Sequence, residues 1–233
     1  MKFNTILFTL LLILSSFFLK VNAQDTNGQL GAWYNYNWTI KFGESRFGAM
    51  GDFQYRVYDV ANDFQQLILR GGISYAPKNS GVTLLAGYSY FNSGAFGDPD
   101  PQTYEHRLYQ DFLLSQTLWD RVFVGHRFRL EERFVENQDF RTRFRYFIAA
   151  RVPVNQKTLA KNAIFFVVNN EVFVNAQKNI GDGRTVPLFD RNWLAGGLGY
   201  SFSDNARFEL TYIRESTEAY NKGQLWVSLF HTF

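Results

Sequence analysis

Any catalysis by this 233-residue chain would have to draw on three histidines and no cysteine. His106, His126 and His231 are the side chains that titrate nearest neutrality. Acyl hydrolysis needs a serine–histidine pair with an orienting acid, and the spacing does not supply one. Hairpin register sets His126 opposite Gln110 or Phe112, several residues along the sheet from His106, too far for a shared metal. None of the three sits in a carboxylate cluster of zinc-site spacing. Gly181-Asp182-Gly183 lacks the acidic spacing and closing Glu of a calcium loop. The residues therefore predict no catalytic centre, no metal and no cofactor.

The other chemistry is anion recognition by arginine. Residues 126–152 read HRFRLEERFVENQDFRTRFRYFIAARV. Arg127, Arg129, Glu131, Arg133, Arg141, Arg143 and Arg145 occupy one set of alternate positions. Phe128, Leu130, Phe134, Phe144, Tyr146, Ile148 and Val152 occupy the other. Period two means β-strand, each face with its own chemistry. Charges are rarely buried unpaired, and apolar patches of this size are unusual on soluble monomers. A transmembrane β-barrel reconciles the two faces, with apolar residues toward lipid and charges toward a polar lumen.

The elements needed to position these side chains can be followed along the chain. Eleven strands are legible, near 29–40, 46–58, 64–76, 82–92, 103–116, two within 126–152, then 163–175, 191–202, 206–215 and 223–233. Most alternate cleanly. Tyr34, Tyr36, Trp38 and Ile40 oppose Asn35, Asn37 and Thr39; Glu105, Arg107 and Asp111 oppose Leu108, Phe112 and Leu114; Glu171 lies on the polar side of its strand. Strands of this length suit a tilted membrane crossing better than a globular sheet. Short turns near 43, 79, 119 and 204 alternate with longer loops near 61, 97, 137, 183 and 219, while the connection at 153–162 fits the alternation poorly. Because termini on one side require an even count, twelve strands are expected, with a range of ten to twelve. A strand hidden in 176–190, or an N-terminus that starts on the other side or threads the barrel, would reconcile eleven.

Composition agrees: 18% of residues are aromatic and 19% charged, with 25 Phe, 13 Tyr and 18 Gly. Mean hydropathy is −0.24, as suits a barrel in which only alternate positions meet lipid. Lys2, the apolar run 6–19 and Val21-Asn22-Ala23 form a signal-peptide pattern, and that run is short of the roughly 20 residues of a spanning helix. Cleavage after Ala23 removes two of the 24 basic residues, Lys2 and Lys20, leaving 22 against 21 acidic ones, a net charge of +1. No basic tract suggests nucleic acid. An exported chain without cysteine has no disulfide framework and must draw stability from a closed sheet.

Register arithmetic places Arg107 opposite Arg129 or Glu131, Asp111 near Arg127, and both Glu131 and Glu171 near Arg143 or Arg145. One wall of the lumen thus gathers Glu105, Arg107, Asp111, Arg127, Arg129, Glu131, Arg133, Arg141, Arg143, Arg145 and Glu171. Such a lattice either fills the barrel and satisfies its own charges or forms an anion-selective lumen or acidic-ligand site. Structural packing is the weightier of the two. The last strand ends on Phe233, with Leu225, Val227 and Leu229 at alternate positions before it. That is similar to the signal read by the outer-membrane barrel assembly machinery, from which His231 departs.

The segments GAWYNYNW, FQQLILRGGISY, EHRLYQDFLL, HRFRLEERF, RFRYFIAARVP, NNEVFVN and FDRNWLAGGLGYSF resemble a family of exported bacterial proteins known only as a domain of unknown function. HRFRLEERF with the following arginine-rich strand is the most specific element, and the likeness covers residues 28–233. It implies an outer-membrane β-barrel of Gram-negative bacteria and transfers no catalytic residue. The expectation is an all-β, antiparallel up-and-down transmembrane barrel over 24–233 after a signal peptide at 1–23. It would be structural or a narrow, porin-like pore for small anionic solutes, its partners outer-membrane lipids and the assembly machinery. The alternatives are an outer-membrane lipid-modifying enzyme and a soluble periplasmic barrel that binds a ligand.

Overall fold

The structure, a computed structural model, describes residues 30–97 and 102–233. The signal-peptide pattern at 1–23, the start of the first expected strand at Gln29 and part of the loop near 97 lie outside the described residues. Eleven strands form one closed barrel: β1 Gly31–Lys41, β2 Phe47–Asp59, β3 Asn62–Tyr75, β4 Val82–Ser93, β5 Thr103–Leu118, β6 Val122–Val135, β7 Arg141–Pro153, β8 Ile164–Asn175, β9 Phe189–Ser201, β10 Ala206–Ser216 and β11 Asn221–Thr232. Consecutive strands pair antiparallel around the ring.

Parity is resolved by the closure. β1 pairs with β11 in parallel, with Asn35 beside Ser228 and Thr39 beside Thr232. An odd number of up-and-down strands brings the first and last together pointing the same way, so the seam must be parallel. Among the described residues there are eleven strands and not the twelve expected from parity. Segment 176–188 contributes only the isolated bridge Asn179–Thr185, and β1 begins at the opposite mouth from the C-terminus. We call these the N-terminal mouth, where Gly31 lies, and the C-terminal mouth, where Phe233 lies.

Connections differ from the expected alternation in two places. The loop expected near 61 is a tight turn at Val60-Ala61, with Asp59 paired to Asn62. At the C-terminal mouth the connection 154–163 folds inward. Its Leu159 packs with the buried Ala163, Phe165 and Val167, and its carbonyl accepts a bond from Ser201 Oγ (2.8 Å). That inward fold explains why the segment reads poorly as a hairpin turn.

Alternation sorts the side chains by face. Large apolar side chains take most outward positions, and many are exposed: Ile73 56%, Phe144 54%, Leu198 51%, Phe128 50%. Inward positions are mostly charged, polar or aromatic, with a few aliphatics such as Ile68 and Ile213, and most of them are buried. Lumen volume is matched locally. A Cβ at Gly87 would stand 2.6 Å from the hydroxyl of Tyr109, so glycine there leaves room for the ring. On the β8–β11 side with β1, Trp33, Phe173, Trp193, Ala195 and Ile213 form an apolar cluster joined by Trp226. The facing wall, β5 to β7, carries the densest charge.

Candidate functional site

All eleven side chains expected in the lumen lie on the inner face, and all but Arg127 are buried. Strand alternation turns Glu105, Arg107 and Asp111 inward from β5, the arginines with Glu131 inward from β6 and β7, and Glu171 inward from β8. The register is offset from the sequence expectation. Arg107 faces Arg133, Tyr109 faces Glu131, and Asp111 faces Arg129. Glu171 stands opposite Phe147 rather than an arginine. The β5–β6 offset comes from its turn, where Trp119 and Asp120 both take positive φ (50° and 54°) and β5 runs on to Leu118. A strand extended by two residues moves the turn centre and shifts the β5–β6 partners. Across β6 and β7 the expected register holds, with Glu131 opposite Arg143, and the place of Glu171 is set separately by the β7–β8 connection.

Contacts nevertheless join the expected groups, because guanidinium arms span neighbouring rows. Arg129 meets Asp111 through Nε–Oδ1 and Nη2–Oδ2, both 2.6 Å. Glu131 is the hub: Arg143 donates to it at 2.6 and 2.9 Å, Arg145 at 2.7 Å and Arg107 at 3.3 Å. Glu171 accepts from Arg127 (2.7 Å) and Arg145 (2.8 Å). Glu105 is gripped by both Arg107 and Arg133. Two-point bonds of this kind to ionised partners are the strong form of the hydrogen bond.

The lattice is wider than sequence reasoning assembled. Arg70 pairs with Asp52 at 2.9 Å, Arg151 and Arg207 converge on Glu209 at 2.6 and 3.1 Å, and Arg191 meets Glu215 at 2.9 Å. Their parity within each strand was the available signal. Asp190, which binds Arg143 at 2.6 Å, gave no such signal, since a register shift between Phe173 and Val174 turns it inward. At the N-terminal mouth the Tyr220 hydroxyl donates to Glu215 (2.8 Å). Its burial, with the Glu215 carboxylate alongside, pushes its pKa up.

Aromatic rings support the arginines further, both those with carboxylate partners and Arg56, which has none among the described residues. Among the described residues Arg56 bonds to Gln54 and Gln66 and lies over Trp33 at 3.9 Å. Arg107 covers Phe91 at 3.6 Å and Arg129 covers Tyr109 at 4.2 Å. Cation–π contact supports a guanidinium without neutralising it. The space left between the walls is a cavity of about 380 Å³ running from Gln138 at the N-terminal mouth to Arg151 and Phe230 near the other, lined by ten arginines and three carboxylates. A second space of about 290 Å³ at the C-terminal mouth shares Arg151 with it. What the arrangement supplies chemically is dense, fixed positive charge around a narrow polar space.

The histidines point the other way. His106 stands opposite Phe134 and His126 opposite Leu114, not Gln110 or Phe112. Each of the three binds a tyrosine hydroxyl on the outer face: His106 with Tyr88 (2.5 Å), His126 with Tyr146 (2.9 Å) and His231 with Tyr36 (3.2 Å). Among the described residues no three His, Asp or Glu side chains group as a metal site. In the 176–188 loop, Asp182 pairs with Arg184 at 3.2 Å. Phe233 lies exposed at the C-terminal mouth, its backbone N–H donating to Thr39 (2.9 Å).

Residues 30–225, which include every charged strand of this lumen, match the model of a family described as "Protein of unknown function (DUF2490)". The chain belongs to that family. The resemblance read from HRFRLEERF and the strand after it therefore holds at the level of an uncharacterised domain. For this DUF2490 chain, no match is found among curated proteins.

Proposed function

We propose that this DUF2490 protein is an exported outer-membrane β-barrel whose lumen is a narrow, cation-rich passage for small anions. The observation that carries the reading is the polarity of the closed sheet. Large apolar side chains occupy the outer face of every strand, while the inner face holds an arginine–carboxylate lattice. Lipid is the solvent for which that distribution is favourable, and closure leaves no strand edge unpaired within it. Tyr–His pairs on the outer face suit the amphipathic belts of a bilayer interface. A soluble barrel that binds an apolar ligand would carry the opposite polarity.

The surplus of arginine in the cavity lining favours anions over cations. Two steps test the proposal. Cell fractionation should place the protein with outer membrane, extractable only by detergent. Planar-bilayer recording under a salt gradient should then give a reversal potential of anion-selective sign. A protein released in the soluble periplasmic fraction would overturn the membrane reading, and a cation-selective or silent barrel would overturn the passage.

A further inference from the structure

Near the N-terminal mouth three arginines stand in one register row: Arg107 opposite Arg133, and Arg133 opposite Arg141. Like charges directly opposite each other across strands repel. Glu105 is the main carboxylate that answers the row, with Glu131 reaching only Arg107 at 3.3 Å. Glu105 takes Arg107 at 2.7 Å through both oxygens and Arg133 at 2.5 and 3.0 Å. Arg141 is left outside this arrangement. It is 6% exposed, and among the described residues its buried Nε and Nη1 have no hydrogen-bond partner. A buried guanidinium without partners is costly, and most other arginines in this lumen have a carboxylate.

Arg141 lines the central cavity together with Arg133, Arg143, Glu105 and Gln138. Gln138 reaches in from the connection between β6 and β7, and its Oε1 is likewise buried without a partner. Oxygen and nitrogen of an amide are assigned from their hydrogen-bond network, so a flipped Gln138 presents N–H groups to the same space. Three cations against Glu105 and a share of Glu131, two unanswered guanidinium nitrogens and an invertible amide all meet at one place. We propose that this mouth binds a doubly charged oxyanion: a phosphate group, free or carried by a small water-soluble solute, held by Arg141 with Arg133 and Gln138. The site opens to the lumen and not to the outer face, which favours a dissolved phosphate over a lipid headgroup. The inference deepens the anion-passage reading and rests on it for a water-accessible lumen.

Isothermal titration of the full-length protein in zwitterionic detergent with inorganic phosphate tests the site. Saturable one-to-one binding is expected, weakened about tenfold or more in Arg141→Gln and less in Gln138→Ala, with both variants keeping the heat-modifiable migration of a folded barrel. Should Arg141→Gln not fold, Gln138→Ala carries the test alone. Absence of saturable binding to the native protein, or undiminished binding in the folded variants, would overturn the site. In a second arm, glycerol phosphate should compete with inorganic phosphate; stronger competition by a short-chain phosphatidic acid would assign the ligand to lipid and overturn the lumenal site. Anion-selective conductance indifferent to phosphate would refute the site and spare the passage. Phosphate binding by a non-conducting barrel would spare the site and refute the passage.

Discussion

Asp111 and Arg129 face each other across β5 and β6 and join by two parallel bonds of 2.6 Å, their side chains only 1% and 3% exposed. This is a row in which direct strand register and charge pairing coincide. Asp111→Ala leaves Arg129 buried, with the Glu131 carboxylate 3.9 Å away. A loss of about 3–5 kcal/mol is expected for breaking a buried pair from one side, read as a lower denaturant midpoint in detergent. Added salt should alter that loss little, since buried pairs are weakly screened.

Glu131 serves more partners. Glu131→Ala takes one carboxylate from Arg107, Arg143 and Arg145 together, each of which keeps a second in Glu105, Asp190 or Glu171, so it should destabilise the barrel by a few kcal/mol on the same physical ground. An unchanged midpoint would mean that the lattice does not hold the wall.

The parallel seam makes a geometric prediction. The chain has no cysteine, so an engineered pair reports cleanly. Asn35→Cys with Ser228→Cys, both inward-facing and in register, should oxidise to an intramolecular disulfide in the folded barrel. Asn35→Cys with Thr232→Cys should not, because β1 and β11 run the same way. Efficient cross-linking of the second pair would reverse the closure.

Trp33 is fully buried, with its ring 4.7 Å from Trp193 and 3.9 Å below the Arg56 guanidinium. Trp33→Ala should cost about 3–5 kcal/mol for the cavity it opens and should weaken the near-ultraviolet circular dichroism of the tryptophan cluster.

At the C-terminal mouth, Arg151 borders both lumen spaces and is held by Glu209. Glu209→Gln should free Arg151 and Arg207 to move, raising single-channel conductance and its anion preference. Unchanged conductance in a folded variant would place the narrow point elsewhere.

Alternation alone determined the eleven strands, the two faces and the inward set from Glu105 to Glu171, because the direction of a strand side chain is a local consequence of the pleat. Tertiary structure decided what is not local. Register depended on the positive-φ turn at Trp119 and Asp120, whose two-residue extension of β5 moved Arg107 onto Arg133 and Asp111 onto Arg129. Asp190 entered the lumen through a register shift that parity cannot express. Arg141 shows the difference most plainly. Its inward direction is legible in RTRFRYF, but its want of a partner depends on Glu105 being taken by Arg107 and Arg133 across three strands. The parallel seam, too, follows from the ring closing at an odd number, because closure is a property of the whole sheet and of no single strand.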